Sequence, residues 1–65
     1  MNEKLISEYM SQNGLFTYEN AEIDKLQTTG ELVIFRERDR SGFEGEDHQI
    51  PLLDIVAWVF SLLPR

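Results

Sequence analysis

The apolar positions of this chain fall into segments with different periods, and each period predicts an element. Residues 2–12 place Leu5, Ile6, Tyr9 and Met10 at i, i+1, i+4 and i+5. That is one face of a 3.6-residue repeat, so an N-terminal helix is expected over about 2–12. Glu3 near its start suits the helix dipole. Asn13-Gly14 ends it, because glycine accepts the left-handed conformation favoured after a helix. Residues 15–18, Leu-Phe-Thr-Tyr, are rich in β-formers and suit a short edge strand or an extended connection.

Residues 20–27 carry a mixed signal. Asn20 suits the cap of a short helix holding Ala21, Ile23 and Leu26, with Glu22 and Asp24 in its first turn. The same Ala21 and Ile23 alternate with Glu22 and Asp24 as in a strand. The capping residue and the first-turn acids favour a helical turn. Thr28-Thr29-Gly30 then breaks the chain.

Residues 31–38, Glu-Leu-Val-Ile-Phe-Arg-Glu-Arg, give the clearest strand. Two glycines within residues 39–45 make a hairpin connection, and 44–50 form a polar returning strand. Pro51 lacks the donor a sheet ladder needs but suits the first turn of a helix. The last run, residues 52–63, has only Asp54 and Ser61 as polar members and predicts a very apolar C-terminal helix. The expected fold is α+β: one small domain over 1–65, with a small antiparallel sheet of two or three strands against two helices.

The C-terminal helix sets the main functional expectation. A helix in a two-layer domain needs an apolar stripe a little over 100° wide. Positions 52, 55, 56, 59, 62 and 63 would supply it. Leu53, Ala57, Trp58 and Phe60 then point elsewhere, and three of these are large. Either the N-terminal helix and loops cover them, or a second copy does, or a different protein docks there. A twofold homodimer is the leading expectation, since large apolar patches are rare on monomers and most homo-oligomers are twofold dimers. Trp58 suits an interface anchor and equally a core position.

Charge and composition narrow the function. Twelve acidic against six basic residues give a net charge of −6, which opposes general binding to phosphate backbones. Cysteine is absent, so disulfides and thiolate metal sites are excluded, and a reducing cytoplasm is compatible. The first residues lack a basic region followed by an apolar stretch, so no signal peptide is expected. The final apolar run is shorter than the roughly 20 residues of a membrane span. A soluble, cytoplasmic protein is expected.

No catalytic motif is present. Glu44, Glu46, Asp47 and His48 are ligand-type residues, but their spacing does not match a calcium loop, and a single histidine makes an all-protein zinc site implausible. Ser7 and Ser41 have no sequence relation to His48 that would make either a nucleophile. So short a chain leaves little material to wall off a substrate pocket. No enzyme activity, cofactor or metal is expected. Arg36, Arg38 and Arg40 alternate with Glu37 and Asp39, which on a strand makes a small basic stripe. With Tyr18 and Phe43 it suggests a nucleic-acid platform, and cross-strand pairing to Glu44, Glu46 or Asp47 explains it more simply.

The profile of a short, acidic, cysteine-free α/β chain resembles that of small accessory and inhibitor proteins of bacteria and their mobile elements, in composition and not in any motif. The expected function is therefore a non-catalytic interaction protein, homodimeric through Leu53, Ala57, Trp58 and Phe60. It would bind or inhibit a basic protein partner through Glu31, Glu37, Glu44, Glu46 and Asp47. A sharper form is a nucleic-acid mimic whose carboxylates stand in for phosphates. The alternatives are a dimeric nucleic-acid-binding regulator using Arg36, Arg38 and Arg40, or a structural subunit of a larger assembly.

Overall fold

A computed structural model describes residues 2–64, apart from the side chain of Glu44. Helix α1 spans Glu3–Gln12, followed by strands β1 (Glu22–Thr29), β2 (Leu32–Arg38) and β3 (Glu44–Pro51), and helix α2 (Leu52–Ser61). The strands form one antiparallel sheet in the order β1-β2-β3, and the fold is α+β as expected.

Local chemistry sets both ends of α1. The Asn2 Oδ1 accepts from the Leu5 N–H at 2.9 Å, capping the first turn. At the other end Gly14 has φ 64°. That bend lets the Leu15 N–H reach the Met10 carbonyl at 2.9 Å and the Gly14 N–H reach that of Ser11 at 3.3 Å. These are the paired bonds of a Schellman motif, which satisfies carbonyls that the helix end would otherwise orphan.

The sheet sorts its residues by period two. Val33, Phe35 and Glu37 of β2 are buried on the inner face, beside Ile50 of β3. Both helices cover this face: Ile6 and Met10 of α1 and Ile55 of α2 complete the core, with Ile23, Leu26, Leu52 and Val59 packed around it. On the outer face Arg36 lies opposite Asp24 and Asp47, and Ile34 lies opposite Gln27 and Gln49.

β1 overturns the helical turn expected over 20–27. Asn20 and the acids Glu22 and Asp24, which suit a helix start, belong instead to the lead-in and first residues of this strand. In the sheet the register shifts between Asp24 and Gln27, and Lys25 has φ 56°. This bulge inserts one extra residue, so Ile23 and Leu26 both pack against the core although a regular strand would put them on opposite faces. Residues 15–18 form no strand; they cross the end of the sheet as the connection that was the other expectation for them.

Gly45 sits beneath the ring of Tyr18. A methyl added there would lie within 2.8 Å of Tyr18 Cζ, too close for any real contact. Gly45→Ala is therefore expected to push the end of the half-exposed ring aside and destabilise the fold by about 1 kcal/mol, the low end of overpacking. A urea midpoint unchanged from that of the parent chain would show that the ring does not rest on the strand.

Candidate functional site

Three surfaces carry chemistry: a buried carboxylate at one end of the core, a charged outer sheet face, and the outer face of α2.

Glu37 is 0% exposed. It therefore cannot contribute to an acidic docking surface, and that expectation is corrected. The overlooked signal is the strand period itself, since Glu37 shares a face with Val33 and Phe35. A buried carboxylate is costly unless it is fully hydrogen-bonded. Here Oε2 accepts from the Thr17 and Tyr18 N–H groups, each at 2.7 Å, and Oε1 lies 2.9 Å from His48 Nε2. An ionised carboxylate only accepts, so His48 Nε2 carries the proton in this contact. The imidazole also stacks on Phe35, with ring centroids 5.1 Å apart. Burial is the largest single influence on the carboxyl and raises its pKa. The Tyr18 N–H, the His48 ring, and the N–H and hydroxyl of Thr17 together outweigh it, so the pKa lies below the ordinary 4.5. Glu37 thus ties the 15–21 connection to β2 and β3. Its donors, the two N–H groups, the Thr17 hydroxyl and the His48 ring, are all internal, which is the arrangement of a structural clamp.

The outer sheet face is charged and internally paired. Arg36 holds Asp47 through two contacts, Nε to Oδ1 at 2.7 Å and Nη2 to Oδ2 at 3.2 Å. That hydrogen bond holds the Asp47 carboxyl below its ordinary range. Arg38 meets Glu22 at 3.2 Å and Asp24 at 3.9 Å, both on β1. Arg36 thus pairs as expected with Asp47, whereas Arg38 turns to β1. Three carboxylates meet these two guanidiniums, so the stripe has little net positive charge to offer a phosphate backbone. Arg40 stands apart in the β2–β3 turn, which Asp39 organises by accepting from the Ser41 N–H and hydroxyl and from the Phe43 N–H.

The remaining acids do not form one cluster. Glu31 is exposed in the β1–β2 turn, and Glu46 is exposed near the opposite end of β3. Six to seven strand residues separate their positions along the sheet, roughly 20 Å. Asp47 is exposed but engaged by Arg36. The side chain of Glu44 lies outside the described residues. A concavity of 520 Å³ between α1 and β1 is lined by residues including Glu3, Lys4, Glu22 and Arg38. It is an open groove with both signs of charge, unlike the mostly apolar pockets that hold small molecules. Among the described residues no group of three His, Asp or Glu is placed to hold a metal ion. No described helix is long and apolar enough to cross a membrane.

The outer face of α2 is the surface whose residues have no cover. Ile55 is buried, and Leu52, Trp58 and Val59 are half-buried toward the sheet and α1. Leu53 is 76% exposed and Phe60 67%, with Val56 and Ala57 exposed between them. Leu62 and Leu63, just past the helix, are exposed as well. The helix is rotated slightly from the expected orientation. Val56 joins the outer stripe, and Trp58 leaves it to meet Tyr9 of α1 edge-on, with centroids 5.5 Å apart. Trp58 therefore braces the two helices while staying half-buried, which matches the core side of the two readings open to it.

No family model, curated protein or solved structure matches this chain.

Proposed function

We propose that this chain is a non-catalytic interaction protein that pairs with a second copy through the outer face of α2. The carrying observation is the exposed stripe Leu53, Val56, Ala57 and Phe60, continued past the helix by Leu63. Exposed apolar surface of this extent on a small domain marks an interaction site. A chain of 65 residues also gains from a partner subunit, because its own core is small and it has no cysteine to cross-link.

The net charge of −6 then acts at longer range. It favours encounter with a basic protein surface and disfavours nucleic acid, through steering more than through affinity. Glu31 and Glu46 are the exposed acids of the expected set that remain for such a partner. The pairing on both outer-face arginines weakens the rival reading of a nucleic-acid-binding regulator. A reducing cytoplasm is the compartment this reading expects, since nothing in the chain depends on oxidation.

Dimerisation linked to folding makes stability depend on concentration. The thermal midpoint is expected to rise steadily over about a hundredfold increase in chain concentration. A midpoint that stays constant over that range would overturn the reading.

A further inference from the structure

Resting on that reading, we infer that the two copies of α2 cross antiparallel, with Ala57 close to the twofold axis and Leu53 packed beside Phe60 of the other copy.

The stripe has an order of sizes that suits only one direction of pairing. Leu53 and Phe60 stand seven residues apart, with Ala57 near their midpoint. Read outward from Ala57, each direction meets a large side chain after a similar distance. In an antiparallel pair the small residue sits at the crossing, where the helices approach most closely, and each Phe60 fills the space beside a Leu53. In a parallel pair Phe60 would face Phe60, and Leu53 would face Leu53.

Charge agrees with shape. Asp54 is the one charged residue of α2, and it is exposed beside Leu53. Parallel pairing would set two Asp54 carboxylates side by side and align the two helix dipoles. Antiparallel pairing separates the carboxylates along the axis and opposes the dipoles. Elsewhere two copies with net charge −6 repel each other, so this nearly uncharged stripe is where they can meet.

The area is at the small end of what a specific pair needs. With Leu53 76% and Phe60 67% exposed, and Val56 and Leu63 adding to them, about 450 Å² is available per copy, taking large side chains at about 200 Å² each. Two copies then bury about 900 Å², close to the lower bound for a specific interface. A membrane surface is a poorer occupant, because α2 has no lysine or arginine to meet anionic headgroups.

The absence of cysteine makes the test clean. A57C, L53C and F60C are each oxidised in a glutathione buffer, singly and as an equimolar mixture of L53C with F60C. A57C is expected to cross-link to itself, and L53C to cross-link only with F60C. In the antiparallel pair the two copies of position 53 lie about 10 Å apart along the axis, beyond the reach of a disulfide. Self-linking of L53C and of F60C would overturn the antiparallel geometry while leaving α2 as the contact. A parent chain that sediments as a dimer, with none of the three variants cross-linking, would overturn the α2 contact itself. A monomeric parent chain would overturn the reading on which this inference rests.

Discussion

Glu37→Ala is expected to cause the largest loss of stability of any single substitution in the core, about 3–5 kcal/mol at neutral pH. The substitution strips the acceptor from the Thr17 and Tyr18 N–H groups and from the His48 ring at once. Each buried donor left without a partner costs about 1–3 kcal/mol. The connection lies at the end of the sheet, where water can rescue part of the loss, so a total of about 3–5 kcal/mol is expected. A chain of this length has a stability on the order of 3–10 kcal/mol, so this loss removes a large share of it. Glu37→Gln keeps one carbonyl oxygen for the backbone donors and should cost less, about 1–2 kcal/mol.

The glutamine variant also tests the sign of the pH dependence. The folded pKa of Glu37 lies below its ordinary 4.5. Its contribution is therefore complete above about that pH and is lost as the pH falls through the lower folded value. The stability gap between parent and Glu37→Gln should be widest at neutral pH and close in the acid range. Urea unfolding at a series of pH values measures it, and a gap independent of pH would show that the carboxylate charge plays no part. Asp39 and Asp47, also lowered, add to the acid sensitivity of the parent but are shared by both chains.

How much of this was readable in the sequence differs from element to element. The C-terminal end of α1 was legible because Asn13-Gly14 is local chemistry. So were β2 and the hairpin, because β-formers and glycines act over a few residues. β1 was hidden by a bulge at Lys25, whose left-handed backbone is set by the register against β2 and not by any glycine or asparagine signal. Glu37 illustrates a different limit. Its position on the core face follows from alternation with Val33 and Phe35, but its partners come from residues 17, 18 and 48, and only the folded chain brings them together. Trp58 was ambiguous for a related reason. A rotation of α2 by less than one residue step decides whether Val56 or Trp58 faces outward, and the contact with Tyr9 settles it.

Phe60→Glu and Leu53→Glu are expected to abolish self-association while leaving the folded monomer nearly intact. Both side chains are mostly exposed in the single chain, so a charge there disturbs little internal packing. In the pair each would bury an unpartnered carboxylate against the other copy's stripe. Residues at the centre of an interface typically cost 2–4 kcal/mol when disrupted, about a 30- to 1,000-fold weaker dimer. Trp58→Ala should show the contrasting pattern. It removes the brace against Tyr9 and lowers the stability of the chain itself, by about 2–3 kcal/mol for a half-buried indole. Circular dichroism and sedimentation on the same samples separate the two effects. A Phe60→Glu chain that still dimerised as tightly as its parent would place the contact elsewhere.

The most direct measurement is sedimentation of the unmodified chain from low to high micromolar concentration. The expected result is a mass that rises toward twice the 7.6 kDa of one chain, with Phe60→Glu remaining at the mass of one chain under the same conditions. A single-chain mass for the unmodified protein throughout that range would contradict self-association through α2.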